Sequence, residues 1–98
     1  MKRVVVDMHN GLFADAIAQA LRGFSSDFDV ATSDGPEKTA ELCELTSANI
    51  LIMEVTAFSP WDMDERMKVR DEVKSRDPAC KIVFVVDENS ERELAEKV

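Results

Sequence analysis

The 98-residue chain predicts an α/β fold, a doubly wound parallel sheet, and three observations carry that prediction. Short, uninterrupted apolar runs rich in β-branched residues occur at 4–6, 50–53 and 82–86, the pattern of strands buried on both faces. Helical patterns separate them. No Gly/Ser-rich or Pro-rich linker breaks the alternation, so residues 1–98 form one domain. Strands alternating with helices imply parallel pairing through right-handed crossovers, with helices on both faces.

Each element has its own justification. Val4, Val5 and Val6 form the first strand. Leu12, Phe13, Ala16, Ile17, Ala20, Leu21 and Phe24 recur at three and four residues, an amphipathic helix with a wide apolar stripe. At 27–32, Phe28 and Val30 alternate with Asp27, Asp29 and Ala31, which suits an edge strand with one wet face. Asp34 and Gly35 supply cap and turn before Pro36, and proline is favoured at a first helical position. That second helix runs through Glu41, Leu42, Cys43 and Leu45 to about Ser47.

After the strand at 50–53, a third helix covers 63–75 with a thin apolar stripe of Met63, Met67, Val69 and Val73. The pairs Asp64/Lys68 and Glu72/Arg76 place an acid four residues before a base and support it modestly. The charged run 62–77 around that stripe reads as a solvated face, and Pro78 ends the helix. Beyond the strand at 82–86, Ser90 and Glu93 form an S-x-x-E capping box that starts a fourth helix.

Composition narrows the function. Twelve Lys+Arg against 20 Asp+Glu give a net charge of −8, which disfavours direct contact with nucleic acid. Hydrophobic residues at 45% and charged residues at 33% are globular composition, with stability expected at about 5–10 kcal/mol. No apolar run approaches the roughly 20 residues that span a bilayer, and the N-terminus is no signal peptide, so a cytoplasmic protein is expected. Two cysteines without paired spacing, Cys43 and Cys80, and the single histidine cannot make a structural zinc site; reduced, partly buried thiols are expected. Neither G-x-G-x-x-G nor a P-loop motif occurs, which disfavours a nucleotide enzyme.

In doubly wound sheets the functional crevice lies at the carboxyl ends of the strands. Here those ends carry Asp7-Met8-His9, Glu54 and Asp87-Glu88. Acids so grouped could form a small anionic pocket in which Asp7 and Glu54 hold Mg²⁺, a hard ion satisfied by one or two carboxylates plus waters. Polar loop residues at strand ends are the plainer explanation. His9 has no Ser or Cys nucleophile beside it in sequence and reads as a loop residue. Trp61, after Pro60, is a candidate partner anchor.

The pieces Val4-Val5-Val6-Asp7-Met8-His9 with Leu12-Phe13, Ala31-Thr32-Ser33-Asp34-Gly35, Asn49-Ile50-Leu51-Ile52-Met53-Glu54, Pro60, Met63-Asp64 and 81–86 stand in one order along nearly the whole chain. Together they resemble the receiver domain of two-component response regulators, most closely the branch with a helix-turn-helix output domain. The resemblance implies a flavodoxin-like (CheY-like) sheet with strand order 2-1-3-4, in which the family's fifth βα unit is lacking.

It also implies a chemistry, which this sequence departs from. Family receivers take a phosphoryl group from a histidine kinase onto an aspartate ending strand 3, helped by an acid pair that binds Mg²⁺, a Ser/Thr ending strand 4 and a lysine ending strand 5. By that resemblance Asp7 is the first acid, Met8 stands at the second, Glu54 at the phosphoacceptor and Val86 at the Ser/Thr, while the lysine is not in this chain. The loop from Glu54 to Pro60 is about two residues longer than the family pattern. A thioether is a poor ligand for Mg²⁺, and phosphoryl transfer depends on the electrostatic groups that are missing.

The expectation is a degenerate acidic pocket (Asp7, Met8, Glu54, Val86, Asp87), no cofactor, no enzymatic activity and no phosphorylation. Glu54 is either drift or a fixed negative charge resembling the phosphorylated state. Signalling would then run through protein contacts with a histidine kinase or an output domain, and without a membrane. The alternatives are a conventional receiver phosphorylated on Glu54 or Asp7, and a small flavodoxin-like flavin protein. Without a fifth strand the run 82–86 becomes an apolar edge that invites homodimerisation. Four units of a five-unit fold also suggest a fragment of a longer protein.

Overall fold

A computed structural model of the chain describes residues 2–9, 11–24, 27–33, 35–55 and 63–97. Among these, β1 (Lys2–Asp7), β2 (Phe28–Ser33), β3 (Ile50–Val55) and β4 (Lys81–Val86) form one parallel sheet in the order β2-β1-β3-β4. The register sets Asp7 opposite Ser33 on one side and Met53 on the other, and Glu54 opposite Val85. At the opposite end Asn49 ties three strands together. Its Oδ1 accepts the Arg3 N–H at 2.8 Å, its N–H donates to Arg3 O at 2.8 Å, and its carbonyl accepts the Lys81 N–H at 2.9 Å.

The helices are α1 (Gly11–Phe24), α2 (Pro36–Thr46), α3 (Met63–Arg76) and α4 (Glu88–Lys97). Strand pleat sends alternate side chains to opposite faces. Val4 and Val6 join Ala14, Ala18 and Val30 beneath α1. Val5, Leu51 and Met53 face Ala40 and Cys43 of α2 and Val69 and Val73 of α3. Leu94 of α4 packs with Val55, Met63 and Met67 on that same side. One described helix therefore covers the α1 face and three cover the other. That imbalance leaves Ile50, Ile52 and Val85 half-buried and Val83 47% exposed.

Three expectations need correction. The contact of α1 is displaced from the expected stripe: the sheet takes Ile17 and Leu21 from it together with Ala14 and Ala18, which lie outside it, while Leu12, Phe13, Ala16, Ala20 and Phe24 are exposed. Small alanines allow close approach, so the packed line falls one residue away from the bulky one. The fourth helix starts before Ser90, because the Asp87 carboxylate accepts the Ser90 N–H at 2.8 Å and serves as its cap. Ser90 is a buried residue inside that helix. Finally, the charged run on α3 is not wholly solvated, since Arg66 is completely buried. The expected cap at Asp34 and the segment 56–62, with Pro60, Trp61 and the longer loop, lie outside the described residues. No described helix is long and apolar enough to cross a membrane.

Candidate functional site

β1 ends on Asp7, which alternation turns with Val5 toward α2 and α3. Its carboxylate is 0% exposed. Each of the two helices sends one side chain to it from its fourth residue. Thr39 Oγ1 of α2 donates to Asp7 Oδ2 at 2.6 Å, and Arg66 Nη1 of α3 donates to the same oxygen at 2.7 Å. The Arg66 side chain is likewise 0% exposed, so this is a buried ion pair.

The hydroxyls can be assigned by counting protons. Thr39 has one to give, and two acceptors lie in reach: Asp7 Oδ2 at 2.6 Å and the Gly35 carbonyl at 2.9 Å. The charged and closer carboxylate takes it. Ser33 Oγ, 3.0 Å from Thr39 Oγ1 and 3.3 Å from Gly35 O, is then free to donate to either. Thr39 and Arg66 thus converge on one anion from α2 and α3, with Ser33 of β2 bonded to Thr39 behind it. Asp7 Oδ1 has no hydrogen-bond partner among the described residues.

The other expected site residues lie apart from that cluster. Glu54, 7% exposed, alternates with Ile50 and Ile52 toward the α1 face, and its Oε1 accepts the His9 N–H at 3.0 Å. Asp7 and Glu54 therefore stand at neighbouring strand ends but on opposite faces. Across the β1–β3 register the residue that follows toward Glu54 is Met8, buried among Val4, Val6 and Ala14. Val86 packs with Phe84 against Val55 and Met67. Asp87 is spent on the α4 cap.

The divalent cation that the receiver resemblance implies does not fit this arrangement. Beside Glu54 the available side chain is a thioether, and beside Asp7 a guanidinium is already in place. A +2 ion about 5 Å from a +1 group is repelled by roughly 7 kcal/mol at an effective dielectric near 20. Among the described residues no group of three or more His, Cys, Asp or Glu side chains is placed to hold a metal.

A concavity lies between α2 and α3, floored by Ala40, Cys43, Val73 and Cys80. Arg76 Nη1 closes its rim on Glu44 Oε2 at 2.7 Å. Both cysteines are free thiols. Burial above all, then Cys80 and Asp7, pushes the Cys43 thiol up to about 12. Burial and Asp77 raise Cys80, against a smaller opposing effect of Lys74. Neutral core thiols result.

Ser33, Thr39 and Arg66 were not among the expected site residues. For Arg66 a signal existed: Met63, Arg66, Met67 and Val73 share the three- and four-residue spacing of one helix face, and Arg66 sits inside the apolar stripe. A cation on a buried stripe demands a buried anion, and Asp7 is the fully buried acid that the structure sets against it.

No protein-family model matches the chain, and no curated protein matches it by sequence. Among solved structures it is similar to a two-component transcriptional regulator AraC from Clostridium phytofermentans ISDg, with a TM-score of 0.76 and 17% identity. The likeness covers 97% of this chain and 74% of that one. It establishes the fold: a flavodoxin-like parallel sheet in the order 2-1-3-4.

Proposed function

We propose that this domain is an atypical receiver in two-component signal transduction, working by protein–protein contact without accepting a phosphoryl group. The observation that carries the proposal is the buried Asp7–Arg66 pair at the strand ends of a receiver-type fold. A phosphoaccepting site needs cations it can bring to the transferred group and open space in which to hold it. Here the cation is committed to Asp7, Met8 stands at the second acid of the metal-binding pair, and Val86 offers no hydroxyl.

Glu54 keeps a fixed carboxylate at the acceptor position, tethered by the His9 N–H. Its charge is about −1, against the additional −1.5 to −2 of a phosphoryl group. On this proposal the domain holds one conformation, and its output depends on which protein occupies its surface. The partners are a histidine kinase or an output domain in the cytoplasm, with no direct role in nucleic-acid contact. A homodimer through β4 belongs to the same proposal. Among the described residues β4 pairs with β3 alone, and it presents a half-exposed Val83.

The test is intact-mass analysis after incubation with acetyl phosphate and Mg²⁺. An unmodified mass is expected. A stable gain of about 80 Da, one phosphate, overturns the proposal; mapped to Glu54 or Asp7, it would restore a conventional receiver.

A further inference from the structure

The Asp7 carboxylate is sealed from solvent and must be neutralised from within the protein, because a buried anion without a counter-charge is not tolerated. We infer that Arg66 supplies that charge as a resident cation on the carboxylate that, in a receiver-type site, would be the first acid of a metal-binding pair, so that Asp7 is neutralised without metal. The inference rests on the receiver reading of the fold and concerns the same strand-end site.

Three placements support it. Arg66 reaches Asp7 from the fourth residue of α3, so the positive charge arrives on a helix that is itself anchored in the core through Met63, Met67, Val69 and Val73. The same carboxylate oxygen is fixed by Thr39, and Thr39 in turn by Ser33, which leaves the anion one orientation. Met8, where a second carboxylate would be needed to draw a metal toward Glu54, is buried in apolar company beneath α1. A hard dication finds neither a paired oxygen donor there nor a vacant charge to neutralise.

A recruited metal comes and goes with its concentration, whereas a guanidinium stays protonated throughout the accessible pH range. The strand ends of β1 and β3 would then be held in one arrangement under all metal conditions. Arg66 acts here as a positioning residue. It holds Asp7, and through Asp7 it joins the first turns of α2 and α3 to β1.

The experiment is Mn²⁺ binding to the whole chain by electron paramagnetic resonance, with the melting temperature measured in EDTA and in saturating Mg²⁺. The wild-type protein is expected to leave the free Mn²⁺ signal unchanged and to melt at one temperature in both buffers. Stoichiometric Mn²⁺ uptake, or a Mg²⁺-dependent rise in melting temperature, overturns the inference. The variant Met8→Asp/Arg66→Met removes the resident cation and restores the second acid. It is expected to bind Mn²⁺ at least about tenfold more tightly than wild type, the scale on which ligand-shell changes act. A folded double variant with no gain overturns the inference. If that variant does not fold, the wild-type arms decide alone. Mn²⁺ uptake without any phosphoryl adduct defeats the resident cation and leaves the proposed function standing; an adduct formed without metal uptake does the reverse.

Discussion

Replacing Arg66 with Met removes the guanidinium and leaves Asp7 as an uncompensated carboxylate in a site of 0% exposure. Breaking a buried pair from one side costs about 3–5 kcal/mol. A domain of this size has only about 5–10 kcal/mol in all. The melting temperature should therefore fall by roughly 12–40 °C, at about 4–8 °C per kcal/mol. Asp7→Leu should cost a similar amount, because it strands the guanidinium instead. The double variant Asp7→Leu/Arg66→Met carries no buried charge and should recover most of the loss, as apolar replacements of buried pairs generally do. Urea unfolding of the four proteins closes a double-mutant cycle, read as midpoint shifts at a common slope. If Arg66→Met costs less than about 1 kcal/mol, or if the two single losses simply add, the pair is not the closed unit described above.

Asp87→Ala should cost about 1 kcal/mol through loss of the α4 cap, whereas Glu93→Ala should cost much less, and urea unfolding of both separates the two starts of that helix. Cys43 and Cys80 should react with a thiol reagent only as the protein unfolds, with rates that track denaturant; rapid labelling in buffer would contradict their burial. Because Cys43 is held at about 12 against an ordinary 9.0, its contribution is intact below the unfolded value and declines as pH rises through the alkaline range, where the unfolded thiol ionises first. Cys43→Ala should flatten that alkaline limb in a stability–pH profile. Dimerisation through β4 should show in sedimentation as association that strengthens with salt, since two copies of charge −8 repel, and Val83→Lys should abolish it.

Much of the fold was legible because apolar runs report burial directly. The apolar runs at 4–6, 50–53 and 82–86 are continuous, and continuity distinguishes a two-sided interior from a wet surface. Element ends were less legible. Asp87 and Ser90 are both good caps, and only the chain path decides which one meets a free N–H. The line of contact on α1 was hidden for a related reason. Seven apolar residues marked a broad arc, but the sheet selected only its Ile17 and Leu21 edge, together with the small Ala14 and Ala18 that lie beyond it.

The candidate site divides along the same boundary. Asp7 and Glu54 were found by position, since strand ends are readable from sequence. Their faces follow from strand pleat and register, and those set Asp7 toward α2 and α3 and Glu54 toward α1. Arg66 was obscured by its neighbours: eight other charged residues among the fourteen of α3 made one more cation look ordinary. Thr39 carried no pattern at all; a hydroxyl's partner lies 32 positions away in sequence and is a product of folding.

The closed, self-neutralised strand end is tested most directly by a ¹H–¹⁵N spectrum that resolves the Arg66 guanidinium together with the backbone, recorded in EDTA and again with millimolar Mg²⁺ and acetyl phosphate. Arg66 Nη protons held on Asp7 should be resolved and slow to exchange, should vanish in Asp7→Asn, and should be unchanged between the two conditions. Shifts concentrated at Asp7, His9, Glu54 and Arg66 on adding Mg²⁺ and the phosphoryl donor would contradict it.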